Sequence, residues 1–187
     1  MSTETLSKPE SGFTDFELEQ INAEFAQLNP LERVEKASDI FGDDLIATTT
    51  FGPTAPLMLQ LVSDVNPDIR VVTIRLGHET KKTKVLADWY AATLGFNLAV
   101  YGDDIPLTDQ IELQRDRKVE LFQEMIDDVQ PKAVLFGVMH WQTDERATMP
   151  FVERRGSIIA INPVLDIEKR DVEEVVDIMI DLLLYFV

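Results

Sequence analysis

The sequence contains no cysteine. That single absence excludes disulfides, thiolate metal sites, thiol redox chemistry and a cysteine nucleophile. Histidine occurs only as His78 and His140, so a tetrahedral zinc site would need carboxylates to complete it. Positive charge is also scarce: 17 Lys+Arg stand against 34 Asp+Glu, a formal net charge of −17. A field of that sign repels nucleic acid and anionic membranes, which argues against either as a partner; it chiefly keeps a protein soluble and dispersed. No apolar run reaches the ~18 residues that a membrane span needs. Met1–Gly12 is polar and lacks the apolar segment of a secretory signal. These features predict a cytoplasmic protein.

What is present reads as one folded domain. The 187 residues are 45% hydrophobic and 27% charged, ordinary values for a globular chain. Residues 1–12 are expected to be a flexible tail, and residues 13–187 a single domain. Thr14 and Glu17 have capping-box spacing, with Leu18, Ile21, Phe25 and Leu28 on one helical stripe behind them. Asn29, Pro30 and Glu32 suit the N-cap, first and third positions of a second helix, which stops near Gly42. Strands then alternate with helices. The strands are predicted at Leu45–Thr50, Ile69–Leu76, Phe96–Tyr101, Lys132–Met139 and Ser157–Asn162. The helices are predicted at Ala55–Val65, Thr80–Leu94, Thr108–Asp128 and Asp166–Val187. The alternation implies an α/β fold: a doubly wound, mostly parallel five-stranded sheet with helices on both faces, preceded by two N-terminal helices.

In such sheets ligands bind beyond the carboxyl ends of the strands, where the strand order reverses. The loop Thr48–Thr54 (TTTFGPT) sets hydroxyls beside a helix N-terminus, a pattern that suits an anion. Threonine is equally a good strand and N-cap residue, and Gly52 has no glycine partners for a Walker or dinucleotide fingerprint. Arg75 to Lys84 is a rare basic cluster; a solvated first helical turn is preferred there over a phosphate site. His78 and Glu79 are adjacent, so they do not face one another as an acid/base pair. His140 and Trp141 suit a stacked base but more commonly pack a loop. Arg146 falls near the first loop if the order reverses between the first and fourth strands. It then either grips a phosphate or pairs with Asp144 or Glu145.

Taken together the segments resemble the phosphoadenosine phosphosulfate/adenosine phosphosulfate reductase family, within the adenine nucleotide α-hydrolase-like superfamily. TTTFG stands where that family has SSSFG. NPDIRVVTIRLGHET is similar to its stretch from an asparagine-proline-aspartate turn through LDTG to glutamate-threonine. RKVELF is similar to RKVEPL, and GVMHWQTDERATMPFVERRGSIIAINPVLDI to the GLRREQSxxRAxLP segment with its next strand. The likeness runs from about Leu45 to Ile167. It implies an adenine-nucleotide site in which Thr48, Thr49, Thr50, Phe51, Gly52 and Thr54 take phosphate. Gly77 would meet the adenine edge, with Gly137 at the fourth strand end. Arg146, with Arg117 or Lys118, would hold the anion.

The departures are equally specific. The family's nucleophilic cysteine lies in a C-terminal ECGLH-like segment, and the cysteines of an iron–sulfur cluster mark its adenosine phosphosulfate branch; this chain has neither. Met139 and His140 replace an arginine pair, and Arg75 replaces the aspartate of LDTG. The expectation is a reductase-family domain of sulfate assimilation that is inactive as a reductase. It has no catalytic residues, metal or iron–sulfur cluster, and an adenine nucleotide as its ligand. The alternative is a ligand-free interaction or regulatory protein on the same scaffold. A pyrophosphate-releasing ligase is disfavoured, because TTTFGPT lacks the paired glycines and aspartate of SGGxDS. The last helix carries Val172, Val175, Val176, Met179, Leu183 and Phe186 on one stripe. Ile178, Leu182, Leu184, Tyr185 and Val187 lie on its other faces, which predicts a homodimer through this helix.

Overall fold

In the computed structural model, residues 12–52, 54–76, 81–102, 111–175 and 178 are described. Two helices, α1 (Asp15–Phe25) and α2 (Pro30–Phe41), lead the chain. Both begin with the reciprocal bonds their sequences predict. The Glu17 amide donates to Thr14 Oγ1 (3.3 Å), and the Thr14 amide to Glu17 Oε2 (2.6 Å). The Glu32 amide donates to Asn29 Oδ1 (3.0 Å), and the Asn29 amide to Glu32 Oε2 (2.8 Å). Each box satisfies two amides that the helix itself cannot. The bonds from Thr14 also hold the Glu17 carboxyl below its ordinary pKa.

The alternating part follows as β1 (Leu45–Thr49), α3 (Ala55–Val65), β2 (Arg70–Ile74), α4 (Lys81–Leu94), β3 (Leu98–Tyr101), α5 (Ile111–Val129), β4 (Ala133–Phe136), β5 (Val152–Arg155) and β6 (Ile158–Ile161). The sheet order is β3-β2-β1-β4-β6-β5, parallel throughout except for the β5–β6 pair. The order therefore reverses between β1 and β4. Alternate residues of each strand enter opposite layers, as the two-residue period of a strand requires. Leu45 and Ala47 join Val34, Ala37, Met58, Leu59, Val62 and Tyr90 from α2, α3 and α4. Ile46, Val72 and Val134 join Met125, Phe122 and Ile126 from α5 on the other face. No helix among the described residues is long and apolar enough to cross a membrane.

The sheet has six strands, not five. Val152–Arg155, expected to be loop, is an antiparallel edge strand paired with β6. It buries only Val152, so its sequence carries no apolar run; Arg154 and Arg155 are exposed. The α1 side chain Asn22 closes this edge. Its Nδ2 donates to the Val152 carbonyl (2.6 Å), and its Oδ1 accepts from the Val152 amide (2.8 Å). Other limits also move. The apolar run Lys132–Met139 outlasts β4 because Met139 is fully buried within the following loop.

The last helix begins at residue 169, later than Asp166. Asp166 is held instead by Arg33, a side chain only 2% exposed. The Arg33 guanidinium donates to Asp166 Oδ1 (2.5 Å) and Oδ2 (2.8 Å). It also donates to the carbonyls of Phe25 (2.8 Å) and Pro163 (2.9 Å), and it lies 4.1 Å over the Phe151 ring. In the last helix Val172 is buried and Ile178 exposed. Val176, Met179, Leu182, Leu183, Leu184, Tyr185, Phe186 and Val187 lie outside the described residues, as does the tail before Gly12.

Candidate functional site

The carboxyl ends of β2, β1 and β4 open on a cleft of two adjoining chambers, each of about 240 Å³. Thr50, Ile74 and Lys118 line both. The chamber at the β1/β4 reversal is lined by Thr48, Thr49, Thr50, Gly52, Thr54, Lys118, Gly137 and Arg146, together with Met58, Phe136 and Gln142. The chamber over β2 takes Phe51, Thr73, Arg75, Leu76, Thr83 and Lys84. The cleft lies beyond the carboxyl ends of the strands where the order reverses, the place at which sheets of this kind bind ligands.

The first loop is held in a set conformation. The Thr48 hydroxyl donates to the Leu135 carbonyl on β4 (3.2 Å). Thr49 Oγ1 accepts from the Phe51 amide (3.1 Å). Phe51 has φ of 51°, in the left-handed region, at a cost of roughly 1–2 kcal/mol for a side chain of this kind. Burial of its ring, 6% exposed, offsets that cost. The Ala55 amide donates to the Gly52 carbonyl (3.0 Å), and α3 starts without a side-chain cap. Of the three consecutive hydroxyls, Thr48 is thus spent on the scaffold, while Thr50 is exposed.

The charge on the lining is one-sided. Arg75, Lys84, Lys118 and Arg146 line the two chambers, and among the described residues no aspartate or glutamate does. In a chain of net charge −17 this is a local reversal of sign. Arg146 stands on a short 3₁₀ turn (Arg146–Thr148), its amide donating to the Thr143 carbonyl (3.0 Å). Its guanidinium donates to Gln142 Oε1, so its partner is a neutral amide and not Asp144 or Glu145.

The structure separates the remaining expected residues. Arg117 lines neither chamber and pairs with Glu120 at 3.1 Å on the exposed side of α5, whereas the adjacent Lys118 lines both. His140 packs the loop: its Nε2 lies 3.1 Å from the Met149 carbonyl. Trp141 Nε1 donates to the Ile167 carbonyl (3.0 Å). Gly77, His78 and Glu79 fall outside the described residues. Arg75, Lys84 and Gln142 are lining residues that the sequence does not place in the site. The basic cluster is the available signal for the first two, and half-buried Lys84 faces the cleft where the sequence favours a solvated turn.

Gly102, after β3, lies close against the backbone of Arg75. Its φ is +86°, and a Cβ there would lie 2.2 Å from the Arg75 carbonyl oxygen. Among the described residues no cluster of three metal-ligating side chains occurs. A cysteine-ligated iron–sulfur cluster has no ligands in this chain.

Comparison with known proteins agrees with this fold. The profile of the family described as phosphoadenosine phosphosulfate reductase domain matches residues 44–178. A phosphoadenosine 5'-phosphosulfate reductase of Synechococcus sp. is 30% identical over 171 residues, covering 83% of this chain and 74% of the relative. That of Synechocystis sp. is 28% identical, covering 86% and 71%. Among solved structures, the phosphoadenylyl-sulfate reductase of Candida auris, a phosphate complex, superimposes with a TM-score of 0.71 at 21% identity, over 87% of this chain and 85% of that one. Candida glabrata FMN adenylyltransferase with ATP gives 0.60 at 10% identity, over 82% and 60%. These structural likenesses establish the fold, and the sequence matches establish the family. Built around a six-stranded, mostly parallel sheet with its cleft at the β1/β4 reversal, the chain belongs to the phosphoadenosine phosphosulfate reductase domain family.

Proposed function

We propose that the cleft binds an adenine nucleotide through its phosphate groups, and that this chain does not itself reduce a phosphosulfate. One observation carries the first half: among the described residues, four cations and no carboxylate line the cleft of a strongly acidic protein. Arg146 and Lys118 supply charge beside the Thr50 and Thr54 hydroxyls, at the uncapped start of α3, a combination suited to phosphate. The names of the relatives indicate adenine nucleotides carrying phosphosulfate. The second half rests on chemistry. Attack on the sulfur by a protein thiolate needs a thiol, and this chain has none.

Calorimetric titration with AMP, ATP, adenosine 3′,5′-bisphosphate and phosphoadenosine phosphosulfate tests the binding. At least one should give saturable heat and raise the melting temperature, a ligand at ~100 Kd adding about 2.7 kcal/mol. No heat and no shift with any of the four would overturn the reading and leave a ligand-free interaction protein. In a thioredoxin- or glutaredoxin-coupled assay, neither phosphosulfate should turn over. Sustained turnover by the pure chain would refute the second half. In this reading the protein acts in the cytoplasm, beside sulfate assimilation.

A further inference from the structure

We infer that Gln142 is a positioning residue that presents Arg146, at full charge, to the anionic group of the ligand; this rests on the cleft being the anion site proposed above. The geometry forms a short chain from core to cleft. Met139 is fully buried, and its amide donates to Gln142 Oε1 (3.1 Å). The same oxygen accepts from the Arg146 guanidinium. The turn between them is pinned by the Gln142 amide on the Met139 carbonyl (3.2 Å) and by the His140 amide on the Leu165 carbonyl (2.8 Å). Gln142 and Arg146 both line the chamber that holds Thr50 and Thr54.

The chemical type of the holder matters. A guanidinium has five N–H donors, and Gln142 engages the arginine at NH1. A carboxylate in the same place would hold Arg146 as firmly but cancel its charge. Two carboxylates lie close in sequence, Asp144 and Glu145, yet both are exposed and neither is the partner. A neutral acceptor therefore orients the arginine and leaves its field to the ligand. Pre-orientation also reduces the rotamer entropy that binding would otherwise cost.

The test compares the unmodified full chain with Gln142→Ala and Gln142→Glu. Adenosine and adenosine 3′,5′-bisphosphate are titrated against each, so the affinity gained from phosphate is read separately from that of the base and sugar. The unmodified chain should prefer the bisphosphate. Gln142→Ala should lose about tenfold of that preference, as expected for one charge-assisted contact, with adenosine affinity unchanged. Gln142→Glu can accept both hydrogen bonds, so a purely structural role predicts full retention; the inference predicts a loss at least as large as for alanine. The ¹⁵N guanidinium resonance of Arg146, assigned through Arg146→Lys, should be protected from exchange in the unmodified and Gln142→Glu chains and lose protection in Gln142→Ala. A phosphate preference retained in either variant, or an unchanged resonance in Gln142→Ala, overturns the inference alone. An unmodified chain that does not distinguish the two ligands overturns the anion-cleft reading, and this inference with it.

Discussion

Arg33 offers the sharpest test of how the two leading helices are fastened to the sheet. Its guanidinium gathers the end of α1 (Phe25), the turn after β6 (Pro163 and Asp166) and the ring of Phe151. In Arg33→Ala the Pro163 carbonyl loses its donor within the interior, at roughly 1–3 kcal/mol, while the Phe25 carbonyl keeps the bond from the Leu28 amide (3.2 Å). Asp166 is different: its side chain is 46% exposed and can rehydrate, so its share is discounted to a fraction of a kcal/mol. With the loss of the guanidinium's packing over Phe151, the expected total is about 2–4 kcal/mol. A domain of this size loses ~2–4 °C per kcal/mol, which gives a fall in Tm of about 4–16 °C. Asp166→Asn keeps an acceptor and leaves both carbonyls satisfied, so it should cost only about 1 kcal/mol.

Urea unfolding followed by circular dichroism reads both variants, and the slope should stay constant while the midpoint moves. Arg33→Ala within about 1 kcal/mol of the unmodified protein, or Asp166→Asn as damaging as Arg33→Ala, would refute the reasoning. The pH dependence supplies a second check. The hydrogen bond from Arg33, aided by the nearby charges of Arg33 and His140, holds the Asp166 carboxyl below its usual range against the opposing effect of burial. A carboxyl whose pKa is lowered on folding contributes stability above its unfolded value of about 3.9, and that contribution disappears as pH falls through the folded value. Below about pH 4, Asp166→Asn should therefore lose stability less steeply than the unmodified protein.

Three further outcomes are expected. Gly102→Ala places a methyl 2.2 Å from the Arg75 carbonyl and 2.8 Å from Leu121 Cδ1, so the β2 end must move; a lower Tm and weaker nucleotide binding should appear together in melting and calorimetric experiments. Phe51→Gly relieves roughly 1–2 kcal/mol of backbone strain but loses a buried ring worth about 3–5 kcal/mol, so net destabilisation is expected in urea, and a gain in stability would contradict the assigned role of the ring. For the C-terminal helix we propose a homodimer. Sedimentation at tens of micromolar, where an interface of ~1,600 Å² should hold, ought to show dimers, and Leu182→Glu with Leu184→Glu ought to give monomers or insoluble protein; a monomeric unmodified chain ends the proposal.

The sequence made most of the architecture readable because its signals were local. Thr14 with Glu17, and Asn29 with Glu32, name helix starts through side chains that bond within three residues. The apolar strands β1, β2, β4 and β6 are buried on both faces, so they stand out as β-branched runs. The edge strand β5 was hidden because three of its four residues are charged. Its usable signal was the turn: Arg155 pairs with Ile158 across Gly156-Ser157, with Gly156 at φ of +59°, a two-residue hairpin pattern. At the site, loop chemistry pointed to Thr48–Thr54 and Arg146. The choice of Lys118 over Arg117 depends on which way each faces from α5, and a sequence similarity to RKVEPL does not resolve adjacent residues. Lys84 and Gln142 enter the cleft through long-range packing, which no short window contains.

The bond pair between Asn22 and Val152 has a consequence for how the molecule behaves in company. A sheet ends where its last strand offers free amides and carbonyls, and that ladder is a template for a strand from another chain. Here the position at Val152 is already occupied by a side-chain amide with the donor and acceptor of a peptide group, carried on α1. A foreign strand arriving at β5 would have to displace the Asn22 side chain to gain the rung at Val152. The leading helix therefore covers part of this edge as well as packing on the core, and a lesion that loosens α1 would leave the Val152 amide and carbonyl open to a new partner.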